Sequence, residues 1–308
     1  MKVSVALLGI AIGAAVAGAH ADAPRPAVDG VSHIAIYASD GDKAERFYAH
    51  DLGAERGVDP ENAAGARYYF SATQFVEVLP LPAGPRSINR LDHVAFSTPD
   101  AGALRGYLLH QQVPEVGELR ASDDGSRWFL VKDPEGNNIE FTQAPAHPRQ
   151  VPVNHLSTHI IHVGFIIHSR EAEDRFFRNV LGFRPYWSGG MRDDATSWVS
   201  QQVPDGSDWL EYMIVGEPRG RGIPADMKAS DLGVLDHFSL GVGNIEVAYT
   251  LLWNGGRLTG QDNVPKIGRD AKWQLNLIDP DGTRAEIMEL HAIGKPCCSP
   301  FTASDPQR

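Results

Sequence analysis

The chain of 308 residues is long enough for two domains, and its 42% hydrophobic and 22% charged content is that of a globular protein with a real core. Twenty-eight basic against 39 acidic residues leave a net charge of −11. No Lys/Arg-rich run interrupts that acidity, which argues against nucleic acid or an anionic membrane as a partner.

At the N-terminus, Lys2, an apolar run from Val3 to Val16 and the small-x-small Ala19-His20-Ala21 form the three parts of a signal peptide. Residues 1–21 are therefore expected to be cut away after Ala21, giving a periplasmic or secreted protein with no membrane insertion after cleavage.

Internal repetition organises the rest. His33-Ile-Ala-Ile, His93-Val-Ala-Phe, His162-Val-Gly-Phe and His237-Phe-Ser-Leu each read as a strand whose first inward residue is a histidine. Helix-like stretches follow, as in Asp42 to Leu52 and Arg170 to Leu181, and the Leu52-Gly53 and Leu181-Gly182 pairs are natural helix stops. Asp133-Pro-Glu-Gly136 and Asp279-Pro-Asp-Gly282 are turns between strand-like runs in units two and four. The separation from His33 to His162 equals that from Gly53 to Gly182, so units one and two are repeated as units three and four. This predicts an α+β chain of four modules, each a strand, a helix and about three more strands. The expected domains are 22–148 and 149–292, followed by a 293–308 tail. Pro145, Pro148 and Pro152 mark the boundary, and a polar connector, Gly216 to Ser230, parts units three and four.

Each unit closes on a glutamate in an apolar strand-like run: Glu77, Glu140, Glu211 and Glu286. A buried carboxylate needs a partner. The order His, Glu, His, Glu occurs twice, and four such side chains meeting at one point would bind a divalent ion and leave positions for water or substrate. The tail holds the only cysteines, Cys297 and Cys298. Neighbours can pair only as an eight-membered ring, the alternatives being an intermolecular bridge or a soft-metal contact.

With these strand-start histidines, Leu-Gly helix ends, Asp-Pro turns and late glutamates, the chain resembles the vicinal oxygen chelate superfamily from about Val31 to Leu290. That superfamily includes glyoxalase I, extradiol dioxygenases and bleomycin- or fosfomycin-resistance proteins. The resemblance implies βαβββ modules paired into two glyoxalase-like domains of curled, mostly antiparallel sheets. It implies a divalent metal ion (Zn, Ni, Mn or Fe(II)) held by His33, Glu77, His93 and Glu140 in one set, and by His162, Glu211, His237 and Glu286 in the other. Module pairing stays open, because members also join modules across halves or across subunits, which leaves room for a homodimer.

By the same resemblance, a glyoxalase-type isomerase, epimerase or lyase would polarise a small oxygenated substrate on the metal and move a proton with a glutamate: Glu211 or Glu286, and Glu77 or Glu140. A dioxygenase would use His162, His237 and Glu286, yet Leu130 and Asn276 stand where those enzymes carry a tyrosine. A non-catalytic small-molecule binder would use an aromatic cleft, for which Trp187, Trp198, Trp209, Tyr212, Trp253 and Trp273 are candidates. Arg127, Lys132, Arg192 and Lys272 are the cations that would hold a carboxylate substrate if they face the cups.

Overall fold

The computed structural model describes residues 24–83, 90–215, 236–258 and 263–307. The signal-like segment and the connector from Gly216 to Ser230 lie outside them.

Module one runs β1 (Gly30–Ala38), α1 (Gly41–Glu45) continuing as a π-helical turn (Arg46–Asp51), β2 (Glu55–Val58), β3 (Ala66–Tyr69) and β4 (Phe75–Pro80). Module two is β5 (Leu91–Ser97), α2 (Ala101–His110), β6 (Arg120–Ala121), β7 (Arg127–Lys132) and β8 (Asn138–Gln143). Module three repeats module one: β9 (Ile160–Ile167), α3 (Arg170–Asp174) with its π-turn (Arg175–Val180), β10 (Arg184–Gly189), β11 (Trp198–Gln202) and β12 (Trp209–Ile214). Module four is β13 (His237–Val242), α4 (Ile245–Asn254), β14 (Lys266–Ile267), β15 (Trp273–Ile278) and β16 (Arg284–Glu289).

Local chemistry explains the helix limits. Asp40, Asp100, Ser169 and Asn244 cap the four helices of the described residues by accepting a backbone N–H three residues on. Gly53 and Gly182 stop the first and third at φ +73° and +80°, a conformation that strains any residue with a Cβ.

Two eight-stranded sheets result, in the orders β2-β3-β4-β1-β5-β8-β7-β6 and β10-β11-β12-β9-β13-β16-β15-β14. In each, the first strands of consecutive modules lie side by side and antiparallel, and each is flanked by the parallel last strand of its own module. This decides the question that the sequence left open: module one pairs with two, and three with four.

The halves share one apolar core. Phe96 of the first sheet meets Phe177 and Phe183 of module three, and Tyr48 and Phe70 of module one meet Phe238 of module four. The Asp-Pro turns complete this docking crosswise. Glu135 accepts the His168 N–H at 2.8 Å just ahead of α3, while Asp281 accepts the Ser39 N–H at 2.8 Å just ahead of α1. Tyr48 also donates to Asp279 at 2.9 Å. Carboxylates in those positions answer N–H groups that helix starts leave without partners.

One group in this interface is out of balance. Glu173 is fully buried, and neither carboxyl oxygen has a hydrogen-bond partner among the described residues. Burial, reinforced by nearby Asp133, pushes its carboxyl from 4.5 up to about 9. A carboxyl that keeps its proton only when folded supports the fold fully below its unfolded value, and that support is lost as pH rises toward about 9. Replacing Glu173 by Gln is expected to flatten the fall of Tm over that range and to add about 2 kcal/mol at its alkaline end. Thermal melts of both proteins across pH check it.

Candidate metal centres

The strand register explains why the histidines and glutamates meet. Each glutamate lies two residues beyond the histidine's level on the adjoining parallel strand: Glu77 is level with Ala35, Glu140 with Ala95, Glu211 with Gly164 and Glu286 with Ser239. Side chains two apart share a sheet face, so each pair enters the same cup. The antiparallel central pair then brings in the other module. His93 lies across from Ala35, His33 from Ala95, His237 from Gly164 and His162 from Ser239.

Every histidine is thus followed two positions later by Ala, Gly or Ser, and that small residue makes room for the facing imidazole. A Cβ on Gly164 would come within 2.1 Å of the His237 ring. The His-x-small pattern is visible in the sequence, but its packing requirement shows only once the strands are paired.

Both predicted sets converge. In the first cup His33 and His93 bring their Nε2 atoms to 2.9 Å, and each stands 3.6–3.7 Å from a Glu77 and a Glu140 oxygen. In the second the imidazoles meet at 3.1 Å, His162 is 3.3 Å from Glu286, and His237 is 3.2 Å from Glu211. Ligands bound at roughly 2.1 Å sit about 3 Å from one another around one ion, and the two histidines with one glutamate of each cup come near that spacing. The His162, His237 and Glu286 ligand atoms form a compact trio, all within 4.8 Å of one another, as do those of His33, Glu77 and His93, with Glu211 and Glu140 outside these trios. His162 stacks on Trp209 and His33 on Phe75, which fixes both rings.

The cups differ in access. Across from Glu77, β3 supplies Arg67, whose guanidinium lies over the Phe75 ring at 4.3 Å, pairs with Asp59 at 3.4 Å and bonds Glu61. Across from Glu211, the equivalent β11 position is Ser200. A buried arginine with two carboxylates therefore packs beside the first centre, while a hydroxymethyl group leaves the second open. Its cup is a cavity of 790 Å³ lined by Glu211 and Glu286 and walled by Tyr186, Trp187, Trp198, Trp209 and Phe301.

Charge follows the same division. Burial and neighbouring Asp59 push Glu77 up to about 10, and burial with Glu61 also raises Glu140, so the first cup disfavours the ionised form of both. In the second cup burial works against ionisation but is overcome. The His162 contact and the charge of Arg284 hold Glu286 at about 2, and the His237 contact lowers Glu211. Burial lowers His33 and His237, keeping neutral the imidazoles a metal needs.

Other sequence expectations resolve unevenly. Trp187, Trp198 and Trp209 do line the cavity, whereas Tyr212 is core, Trp273 packs against the core and Trp253 is 64% exposed. None of Arg127, Lys132, Arg192 and Lys272 lines it. Arg192 pairs with Asp194, Lys132 donates to the Gly136 carbonyl, and Lys272 is buried under the tail. The cations that do line it are Lys266, Arg269 and Arg284, missed because their facing depends on strand register. Cys297 and Cys298 are bonded to each other.

The tail closes one side of the cup. Lys272 Nζ donates to Tyr186 Oη at 3.0 Å, the Leu290 carbonyl at 2.8 Å and Asp305 at 2.9 Å, and Phe301 lies 4.9 Å from the Tyr186 ring.

Comparison with known proteins agrees with this architecture. Residues 30–141 match a model of the Glyoxalase/Bleomycin resistance protein/Dioxygenase superfamily. No curated protein matches the chain. Among solved structures, the Mn(II)-bound glyoxalase from Novosphingobium aromaticivorans is 18% identical with a TM-score of 0.63, over 86% of this chain and 83% of that one. The 2,3-dioxygenase LapB from Pseudomonas sp. KL28 is 14% identical with a TM-score of 0.61, over 86% and 93%. A catechol 2,3-dioxygenase is 15% identical with a TM-score of 0.59, over 91% and 92%. The resemblance to the vicinal oxygen chelate superfamily holds, in a two-domain α+β fold. Among the described residues no helix is long and apolar enough to cross a membrane.

Proposed function

We propose that the protein is a divalent-metal-dependent enzyme of glyoxalase type, an isomerase, epimerase or lyase, that acts on a small oxygenated molecule in the second cup. The observation that carries this reading is that Glu211 and Glu286 border the 790 Å³ cavity while His162 and His237 are buried behind them. His162, Glu211, His237 and Glu286 would hold Zn, Ni, Mn or Fe(II), and the ion would supply Lewis-acid polarisation of a substrate oxygen.

Glu211 is the base in this reading. It stands outside the compact trio, is more exposed than Glu286, and is held by His237 and a 3.4 Å bond from Ser200. Leaving His237 removes the interaction that keeps its carboxyl acidic, so the freed carboxylate gains basicity next to the substrate carbon. Tyr186, Trp209 and Phe301 would flank that carbon with aromatic surface. Glu77 and Glu140 belong in this reading to a structural centre. The signal-like N-terminus and the Cys297–Cys298 bond support function outside the cytosol.

The test follows C–H exchange with solvent deuterium by NMR for a panel of α-hydroxycarbonyl compounds. Exchange by the metal-loaded protein, lost in Glu211→Gln with metal retained, is the expected result. Exchange undiminished in that variant removes Glu211 as base.

A second reading has an observation of its own. The His162, His237 and Glu286 trio is the two-histidine, one-carboxylate set of non-haem iron oxygenases. Oxygen uptake with catechols by Fe(II)-loaded protein would replace the first reading with this one. Leu130 and Asn276, facing Glu140 and Glu286 across their strands, supply no acid or base for it.

A further inference from the structure

We propose that the second cup is built for an anionic substrate, a carboxylate on a planar, largely apolar body, and that Arg284 is the residue that reads the charge. This deepens the reading of the second cup as the working site. Arg284 begins β16, level with His237 on β13 and two residues before Glu286, so it shares the cup face with both. It lines the cavity. Its Nε is buried without a hydrogen-bond partner among the described residues, although such a group is costly to leave unmatched.

The surroundings do not satisfy it. Asp279 also lines the cavity, but its oxygens accept from Tyr48 Oη and the Asp281 and Thr283 N–H groups. Asp270 accepts from the Lys272 N–H and Gln274. Glu211 and Glu286 together balance one divalent ion, and with Asp270 and Asp279 turned to other donors the Arg284 Nε–H is left for a ligand to accept. A guanidinium fork matches a carboxylate through two parallel N–H bonds, and the aromatic walls fit a flat apolar body. Neighbouring strands lie about 4.8 Å apart, so one small molecule can place an oxygen among the ligands and its carboxylate on Arg284.

Salicylate and its uncharged isostere salicylamide are suitable probes, titrated against zinc-loaded protein with quenching of the cavity tryptophans as the readout. Wild type is expected to bind salicylate about tenfold more tightly than salicylamide, and Arg284→Gln to abolish that preference while binding salicylamide unchanged. Arg284→Lys, keeping charge without the fork, is expected to weaken salicylate several-fold and leave salicylamide alone; should the glutamine variant misfold, this comparison decides. No preference in wild type, or a preference that survives in Arg284→Gln, overturns the proposal. A protein that takes up no zinc would defeat the metal reading instead, and the same titration on metal-free protein would still test Arg284.

Discussion

Replacing His237 by Ala is expected to remove one equivalent of divalent metal per chain and to lower turnover by on the order of a thousandfold or more. His237 is fully buried, touches His162 at 3.1 Å and Glu211 at 3.2 Å, and sits across from Gly164, the one position of the four with no side chain at all. Its loss takes a ligand away and frees Glu211 from the contact that keeps its carboxyl acidic. The matching change in the first cup, His93→Ala, is expected to leave turnover within a few-fold of wild type and to lower Tm. Arg67 and its carboxylates pack beside that centre, where among the described residues they leave no open cavity like that of the second cup. Metal content by mass spectrometry, read with turnover, checks both variants. Equal loss of activity from the two would mean that the cups work together, and would remove the division argued from Arg67 and Ser200.

The second large effect is expected from Lys272→Ala, which should destabilise the protein by about 3 kcal/mol and detach the tail. Lys272 is fully buried, which pulls its ammonium below the ordinary lysine range, while Asp305 draws it back. Its three bonds tie β15 to the end of the last module and to the tail at once. Its Nζ also lies 5.1 Å from the Trp209 and Phe301 ring centres, close enough for cation–π attraction. Removing it leaves the Leu290 carbonyl and Tyr186 hydroxyl short of a donor, and Phe301 loses the anchor that holds it on the cavity wall. Denaturant melts and limited proteolysis across residues 291–307 test this together. A tail as protected as in wild type would show that the Trp187–Cys297 and Ser188–Ser299 bonds suffice to hold it.

Much of the fold and the candidate site could be read without coordinates, because the signals are local. A strand exposes alternate residues to one face, so His33-Ile-Ala, His93-Val-Ala, His162-Val-Gly and His237-Phe-Ser each announce an inward histidine. Gly53 and Gly182 announce helix ends because the left-handed conformation excludes most other residues. Repetition ties these short signals together, and the eight histidines and glutamates it singles out meet in two cups.

What only the tertiary structure decided is a matter of neighbours. A strand carries its own face pattern but not the identity of the strand beside it, so the pairing of modules and the meeting of Arg67 with Glu77, or of Ser200 with Glu211, appear only in the register. The role of Lys272 was equally hidden, because a lysine reads as a surface cation until a distant aspartate and carbonyl surround it. Arg284 stands two residues before Glu286 in the sequence, but that it faces the cup follows from the register of β16 against β13, and that the cup is open follows from the small Ser200 opposite Glu211.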